Sequence, residues 1–397
     1  MTNVTLKAGE GRTLRDGGCW IFDNEIGEVS GSYRNGDIVS VTDINQHFLG
    51  YGYLNDHSKI RVRILSRDES IKIDDEFWYS RLKDAYEYRK KVIDLAACRL
   101  VYAEADRLPG LIIDKYNEVL VIQADTLGIE VRKDKLVKMM LDILEKDSIT
   151  IKGVYDRSDA KVRILEGLDR LKGFLSEPFK TNVLIEENGL KLEVDVANGQ
   201  KTGYFLDQKL NRFAIRKICK DARVLDCFTH TGGFALNAAA GGAKEVIGLD
   251  SSELAINQAR RNAELNQLEN KVSFLVCDVF DQLPAYQKAL EKFDVIILDP
   301  PAFTKTAATL KNAIKGYREI NRQAMRLLNR NGFLVTCSCS EYFNESLFRK
   351  TILEAAKSEH KRLREVEFRM QAPDHPIVWG DNVSGYLKFA ILEVVDR

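Results

Sequence analysis

The sequence has no excess of charge of either sign, because 59 Lys and Arg residues balance 59 Asp and Glu residues. This balance argues neither for nor against a nucleic-acid partner, which would need basic residues clustered on one face. Cysteine is scarce: seven residues, an odd number without a C-x-x-C pair, fit a reducing compartment rather than a disulfide scaffold. No apolar run approaches the roughly 20 residues of a membrane span, and the first residues have no apolar signal-peptide core. We therefore expect a cytoplasmic protein without a membrane partner.

Internal repeats and low-complexity segments are also missing from the sequence. Its 397 residues exceed the length of one ordinary domain, and its 45% hydrophobic content is ample for burying cores. We predict three domains, with residues 1–72, 73–186 and 187–397.

Residues 223–234 read R-V-L-D-C-F-T-H-T-G-G-F and predict a strand, a tight turn with two glycines and a helix. Glycine leaves the backbone open to a ligand, and a helix start offers unpaired N–H groups. Such a corner binds nucleotides in doubly wound sheets. The turn lacks the G-x-G-x-x-G spacing of dinucleotide sites, so a dinucleotide is not the first choice. Asp226, at the end of the strand, places a carboxylate over the same crevice.

Three further hydrophobic strands end in an acid, at Asp250, Asp278 and Asp299. Helical stretches separate them, which predicts one parallel sheet with its polar groups at one edge. A single strand-end Asp often only caps the next helix, but four in register favour a binding site. This order of elements resembles class I S-adenosylmethionine methyltransferases. Asp250 is then expected to accept hydrogen bonds from the ribose of the donor, and Asp278 to lie near its adenine.

Segment 198–212 precedes a predicted helix and mixes two glycines with polar residues. A loop that folds over a polar ligand has this composition, since glycines allow close approach and amides and hydroxyls form hydrogen bonds. Asp207 could equally be a helix N-cap and nothing more. The polar candidates in this segment are Gln200, Lys201, Thr202, Asp207, Gln208 and Arg212.

The first two predicted domains carry weaker signals. Short alternating runs at 36–43, 48–53 and 60–65 predict a small β-barrel that resembles a PUA-type RNA-binding module, with a spacer or dimerisation barrel as the alternative. Residues 73–186 are expected to form an α+β domain. One cluster there is either a solvated helix face or a strip that faces RNA: Tyr86, Tyr88, Arg89, Lys90 and Lys91.

Cys337 and Cys339 follow the predicted fifth strand of the sheet, beside the loop of Asp299. Methylation of carbon 5 of a pyrimidine needs activation of the ring, which a thiolate supplies by adding at carbon 6. Thiolate formation requires a lowered pKa, for which Lys305 is a candidate cation. Burial in a core is the default expectation for other cysteines: Cys19, Cys98, Cys219 and Cys277.

Nearly the whole chain resembles the bacterial large-subunit (23S) ribosomal RNA cytosine-5 methyltransferase I family. The resemblance rests on E-A-D-R-L-P-G-L-I-I-D at 104–114, G-Q-K-T-G-Y-F-L-D-Q at 199–208, D-C-F-T-H-T-G-G-F at 226–234, D-P-P-A-F at 299–303 and S-C-S at 338–340. It implies a Rossmann-like α/β methyltransferase domain with a mostly parallel sheet and an antiparallel last strand. A small PUA β-barrel and an α+β central domain would precede it.

The same resemblance implies S-adenosyl-L-methionine as the donor and cytosine in 23S ribosomal RNA, or a large-subunit assembly intermediate, as the partner; a homodimer is considered as well. It makes Cys339 the nucleophile, with Asp299 at ring nitrogen 3. Many RNA cytosine-5 methyltransferases carry a second cysteine directly after Pro-Pro, where this chain has Ala302. Cys337 or a water molecule could therefore assist, or Cys337 could itself be the nucleophile while Cys339 packs inside. The residues expected to bind the donor are Gln200, Lys201, Thr202, Gly203, Phe205, Asp207, Gln208, Arg212, Asp226, Phe228, Thr229, Gly232, Gly233, Asp250, Ser251, Asp278, Asp299 and Pro300.

Two other functions fit the residues. The Asp-Pro-Pro loop followed by an aromatic also serves methylation of amino groups in RNA or protein, which needs neither cysteine. A donor-binding ribosome assembly factor without catalysis is the second alternative. No metal site is expected.

Overall fold

The computed structural model describes residues 2–304, 306–380 and 384–396. The chain divides into two compact units. The first comprises Met1–Ile185, Val194–Leu206 and Pro373–Ser384. The second comprises Glu186–Glu193, Asp207–Ala372 and Gly385–Arg397. Within the described part of the chain, no helix is long and apolar enough to cross a membrane.

A six-stranded sheet forms the amino-terminal part of the first unit, with strand order β2-β6-β5-β4-β1-β3. Alternate residues such as Val39 and Val41 face a small core, because side chains of a strand point to opposite faces in turn. At Gly52 a Cβ would lie 2.4 Å from the Arg63 carbonyl oxygen, so only glycine allows these strands to approach. The elements are β1 (Asn3–Leu6), α1 (Arg12–Arg15), β2 (Trp20–Phe22), β3 (Ile26–Ser30), β4 (Ile38–Thr42), β5 (Phe48–Leu54) and β6 (Ile60–Ser66).

A five-stranded sheet with order β11-β10-β9-β8-β7 follows and has its own core. Asp74 caps the long first helix by accepting a hydrogen bond from the Phe77 N–H at 3.2 Å. The elements are α2 (Asp75–Val92), β7 (Ala97–Tyr102), β8 (Leu111–Tyr116), β9 (Val119–Ala124), α3 (Leu127–Glu130), α4 (Lys133–Lys146), β10 (Gly153–Asp156), α5 (Val162–Leu165) and β11 (Gly173–Phe174). A hairpin of β12 (Asn182–Glu187) and β13 (Leu190–Asp195) comes next.

Two members of the predicted aromatic and basic cluster on α2, Arg89 and Tyr86, belong neither to a solvated helix face nor to a strip that faces RNA. Arg89 is fully buried, and its guanidinium donates to Asp106 at 2.5 Å and to three backbone carbonyls. Tyr86 is also buried and donates to Asp147 at 2.9 Å. These two residues therefore hold the α+β fold together.

The second unit is built on a seven-stranded sheet with order β16-β15-β14-β17-β18-β20-β19. The central strands of this sheet read as nearly continuous apolar runs, as expected for parallel strands that are buried on both faces. The elements are α6 (Lys209–Ala214), β14 (Arg223–Cys227), α7 (Gly233–Ala240), β15 (Glu245–Asp250), α8 (Glu253–Leu265), β16 (Val272–Val276), α9 (Val279–Lys288), β17 (Phe293–Leu298), α10 (Leu310–Leu327), β18 (Leu328–Ser338), α11 (Glu345–Ser358), β19 (Lys361–Arg369) and β20 (Lys388–Asp396).

Strand order reverses at β14, which pairs in parallel with β15 on one side and β17 on the other. In open α/β sheets, ligands bind in the crevice outside the carboxyl ends of the strands at this switch point. The last strand, β20, runs antiparallel between β18 and β19. The predicted fold class, a mostly parallel Rossmann-like sheet with an antiparallel last strand, is therefore confirmed. The three domain boundaries stay a prediction.

Candidate active site

The glycine turn after β14 has the tight geometry that the sequence predicts. Gly232 has φ of +86°, and a Cβ there would lie 3.1 Å from the Phe274 ring and 3.2 Å from Ala259. Phe228 and His230 also take positive φ values, of 64° and 52°, which are uncommon for side chains of this size. Helix α7 begins directly after Gly232, so its first N–H groups open at the end of β14.

Asp226 lies fully buried beneath this turn. One carboxylate oxygen accepts hydrogen bonds from the Thr229 hydroxyl at 2.5 Å and the Ala235 N–H at 2.9 Å. The other oxygen is buried and has no hydrogen-bond partner within the described ranges. Burial, reinforced by the negative charge of Asp299, raises the pKa of Asp226 to about 7. The second oxygen can therefore receive a cationic or N–H group of a ligand.

The next two strand-end acids are bound to backbone N–H groups. Asp250 accepts from the N–H groups of His230 and Ser252, both at 2.9 Å, and so joins the glycine turn to β15. Asp278 caps α9 by accepting from the Phe280 N–H at 2.8 Å. Burial lowers the pKa of His230 to about 4, so its imidazole is neutral at neutral pH. The ribose and adenine contacts of the two acids stay predictions.

Asp299 and Cys337 lie side by side because β17 and β18 pair in parallel with Leu298 opposite Thr336. Gln208 donates from its amide to Asp299 at 3.0 Å. The Cys337 thiol is fully buried and is hydrogen-bonded to Gln208 and to Asp299. Burial and the charge of Asp299 raise the pKa of Cys337 well above its usual value, so this thiol stays protonated at neutral pH.

Cys339 is half-buried, two residues farther along the chain and just beyond the end of β18. Its flanking serines are held by one phenol: the Ser338 hydroxyl donates to Tyr317 at 2.9 Å, and the Ser340 hydroxyl lies 3.0 Å from the same oxygen. The Lys388 ammonium donates to the Ser340 carbonyl at 2.7 Å. This fixed S-C-S turn presents one partly accessible thiol beside a buried one.

Lys388 is a residue that the sequence analysis missed. The sequence did contain a clue, because Lys388 stands at the start of a mostly apolar strand. Its neighbours could not be predicted, because they depend on the pairing of β20 with β18. Lys305, the cation considered for lowering a thiol pKa, lies outside the described residues. All seven cysteines lie in the described part of the chain, and none forms a disulfide.

The predicted donor loop has residues in both units: it belongs to the first up to Leu206 and to the second from Asp207 onward. In the first unit the buried Thr202 hydroxyl donates to Asp114 at 2.5 Å. The Lys201 ammonium lies 4.8 Å from the centre of the Phe205 ring, and the Gly203 N–H donates to the Gln200 carbonyl at 2.8 Å. Local contacts thus fold this loop, and the donor-binding role of its residues stays a prediction.

In the second unit, buried Arg212 forms a bidentate ion pair with buried Glu187. The Nε and Nη2 atoms of the guanidinium lie 2.6 and 2.7 Å from the two carboxylate oxygens. Asp207 accepts a hydrogen bond from the Tyr386 hydroxyl. These contacts give both residues a structural role and leave their predicted donor contacts untested. The remaining donor-binding candidates differ in exposure at the sheet edge: Phe228 is half-buried, Ser251 is exposed, and Gly233 and Pro300 are buried.

Comparisons with known proteins agree with this geometry. A family profile described as S-adenosylmethionine-dependent methyltransferase matches residues 162–389, and one described as PUA-like domain matches residues 4–67. The ribosomal RNA large subunit methyltransferase I of Pseudoalteromonas translucida is 41% identical, over 98% of this chain and 99% of its own length. The protein of the same name from Aliivibrio fischeri strain MJ11 is 39% identical, over 99% of both chains. This chain belongs to the ribosomal RNA large subunit methyltransferase I family.

Solved structures support the fold of this family member. A methyltransferase complexed with SAH has a TM-score of 0.83 at 20% identity, with 99% of this chain and 100% of that chain covered. A methyltransferase from Streptococcus mutans has a TM-score of 0.82 at 21% identity, with the same coverage. The predicted PUA-like domain is thus confirmed, and S-adenosylmethionine is the methyl donor of this enzyme family. The partnerless oxygen of Asp226 fits the positively charged amino group of that donor.

Proposed function

We propose that this methyltransferase forms 5-methylcytosine in large-subunit ribosomal RNA through a covalent bond between Cys339 and the base. The names of its relatives support ribosomal RNA of the large subunit as the substrate. The observation that carries the chemistry is the contrast between two thiols at the end of β18: Cys339 is half-buried, whereas Cys337 is fully buried.

The chemistry needs a nucleophile of this kind. Carbon 5 of cytosine is not nucleophilic enough to take a methyl group directly, and a thiolate bond at carbon 6 makes it enamine-like. A base inside folded RNA must leave its stack to reach such a pocket, at a cost of a few kcal/mol. A half-buried thiol at the carboxyl edge of a parallel sheet can meet that base, because this edge is where open α/β sheets bind ligands.

The donor supplies an electrophilic methyl group when bound. Asp226 would accept a hydrogen bond from the amino group of the donor through its partnerless oxygen. Asp250 would accept hydrogen bonds from ribose hydroxyls. Its two bonds from backbone N–H groups leave lone pairs of the carboxylate available for this. The N–H groups at the start of α7 would face the carboxylate of the donor.

Asp299 would bind the edge of the cytosine. It is half-buried, and Gln208 fixes one of its oxygens. In the proposed sequence, the Cys339 sulfur forms a bond to carbon 6, and a proton relayed by the Asp299 carboxyl reaches ring nitrogen 3 as the ring electrons shift there. That proton returns to the carboxyl when the electrons move back and carbon 5 takes the methyl group. After carbon 5 has gained the methyl group, a base removes its proton, and the electron pair of that C–H bond restores the double bond and expels the thiolate. Protonated Cys337 would support Asp299 rather than attack.

Trapping on RNA that contains 5-fluorocytidine tests the proposal, because fluorine replaces the proton whose removal releases the thiolate. We expect the unaltered protein and Cys337→Ala to form a denaturation-resistant adduct in the presence of the donor, and Cys339→Ala to form none. Cys337→Ala is the matched control, since it removes the neighbouring thiol from the same strand end. An adduct that persists in Cys339→Ala and disappears in Cys337→Ala would reverse the assignment.

Methylation of an amino group is the second candidate, favoured by Asp299-Pro-Pro-Ala-Phe303 at the end of β17. It predicts full methyl transfer in both Cys→Ala variants.

Absence of transfer from labelled donor to stripped ribosomal RNA would instead favour an assembly factor. Sedimentation of the full chain would test the homodimer that the sequence raised.

A further inference from the structure

Lys388 is a buried cation beside the S-C-S turn. Its side chain stands at the start of β20, opposite Ser338 in the antiparallel pairing with β18. The ammonium donates to the Ser340 and Tyr386 carbonyls, both at 2.7 Å. Only 4% of the residue is exposed. The two bonds leave one of the three N–H donors of the ammonium for a further partner.

Lys388 forms no ion pair within residues 2–304, 306–380 and 384–396. Its ammonium is bonded to two backbone carbonyls, and Glu341 favours its charge only from beyond ion-pair distance. A buried charge without a counter-ion is costly and is rare away from functional sites. This burial lowers the pKa of Lys388 to about 8, and Cys339 contributes in the opposite direction, favouring the ammonium. Cys339 and Glu341 both favour the charge of Lys388, and Cys339 has the larger effect of the two.

We propose that Lys388 is a positioning residue that stabilises the thiolate of Cys339 and orients it through the Ser340 carbonyl. The inference rests on the proposed function, in which Cys339 attacks the base. In its resting state the Cys339 thiol gives its proton to solvent, and the ammonium stabilises the sulfur anion that remains. The ammonium thereby raises the fraction of thiolate available for attack, and it stabilises the same thiolate when the sulfur leaves carbon 6.

Other charged and titratable groups around the pair act more weakly or in the opposite sense. Glu341 favours the ammonium from the exposed side of the turn. Asp299 is linked to protonated Cys337, and Arg369 of the neighbouring strand donates to Glu367 and Asn211. The Tyr317 phenol has a raised pKa because it is buried, so it stays neutral. Among the residues that the structure describes, Lys388 is thus the cation best placed to act on Cys339.

The pH dependence of Cys339 alkylation by iodoacetamide, followed by mass spectrometry of the Cys339 peptide, tests the inference without RNA or donor. We expect the rate to rise with an inflection at least about one unit below the ordinary thiol pKa of about 8.5. Cys19 and Cys277, also half-buried, serve as internal references in the same digest. An inflection of Cys339 at or above the ordinary value overturns the proposal, whatever the variants do.

Lys388→Met keeps the length of the side chain and removes its charge. It should raise the inflection of Cys339 by about one unit or more. Alkylation at pH 7 should slow by about two- to fourfold, because the fall in the thiolate fraction outweighs the higher nucleophilicity of the more basic thiolate. Lys388→Arg should restore most of the rate. Lys361→Met, which breaks an exposed ion pair with Asp396, is the matched control and should change nothing.

The outcomes separate this inference from the proposed function. If Lys388 only braces the turn, Lys388→Met lowers the unfolding temperature while the Cys339 inflection stays in place, and the inference fails. If the inflection shifts while 5-fluorocytidine trapping does not depend on Cys339, the coupling of the two residues stands and the proposed covalent chemistry fails. Trapping that depends on Cys339 without any shift refutes the role of Lys388 alone.

Discussion

Asp226→Asn should stabilise the second unit at alkaline pH while weakening the donor site. In the absence of donor, ionised Asp226 is buried with one oxygen lacking a partner in the described part of the chain. Its pKa of about 7 lies about three units above that of an unfolded Asp, so the folded state binds a proton more tightly than the unfolded state. The stabilising contribution of the protonated carboxyl is fully present below pH about 4 and is lost as pH rises through 7.

Three units of pKa correspond to about 4 kcal/mol of unfolding free energy lost between pH 4 and pH 8. In Asp226→Asn, the amide oxygen can keep the bonds from Thr229 and Ala235, while the NH₂ group takes the position of the partnerless oxygen. An unsatisfied buried amide costs about 1–3 kcal/mol at every pH. We therefore expect the variant to be about 1–3 kcal/mol more stable than the unaltered protein at pH 8 and less stable at pH 4.

Urea unfolding of the donor-free protein at pH 5, 6, 7 and 8 measures this difference, and calorimetry at pH 7.5 measures donor binding. Because a charge-assisted hydrogen bond contributes about 1.5–3 kcal/mol, donor affinity should fall about ten- to hundredfold. Asp278→Asn is the control for the stability measurement, since Asn also caps a helix. A stability difference that stays flat from pH 5 to pH 8 would refute the account of Asp226, and unchanged donor affinity would refute its proposed contact.

Three further predictions concern packing and hydrogen bonds in the second unit. Arg212→Ala should cost about 3–5 kcal/mol of unfolding free energy because it leaves Glu187 buried and unpaired, and Arg212→Met with Glu187→Gln should recover most of it in urea titrations. Gly248→Ala should cost about 1–3 kcal/mol and lower the unfolding temperature, since a Cβ there would lie 2.6 Å from the Phe274 ring. Tyr317→Phe should slow adduct formation on 5-fluorocytidine RNA several-fold and lower stability by only about 1 kcal/mol, because it releases both serines of the S-C-S turn.

The parts of the site that the sequence predicts are those set by local pattern. Asp226, Asp250, Asp278 and Asp299 each follow an apolar run, and parallel strands alternating with helices must bring such ends to one edge. The glycine turn is equally local, because the positive φ of Gly232 is a property of a few residues. The strand-end acids and the glycine turn could therefore be predicted without knowing which distant segments of the chain are in contact.

The roles of Arg212 and Arg89 depended on partners far along the chain. Arg212 precedes the glycine turn and was predicted to bind the donor, yet Glu187, on the β12 strand, holds its guanidinium. Arg89 looked like part of an exposed basic face, yet backbone carbonyls of Arg99 and Asp374 accept from it. Helical spacing cannot reveal such partners, because a long side chain is equally suited to solvent and to a buried ion pair.

The sequence could have marked Lys388 as a candidate buried cation. Residues Lys388–Asp396 form an apolar strand whose first residue is a lysine, and a buried ammonium requires a compensating partner. The sequence alone could not name that partner, because the last strand enters the sheet between β18 and β19 rather than at its edge. Once that order is known, antiparallel register places Lys388 opposite Ser338, one residue before Cys339. The pairing of β18 with β20 therefore supplies a candidate cation for the thiol that local sequence pattern does not reveal.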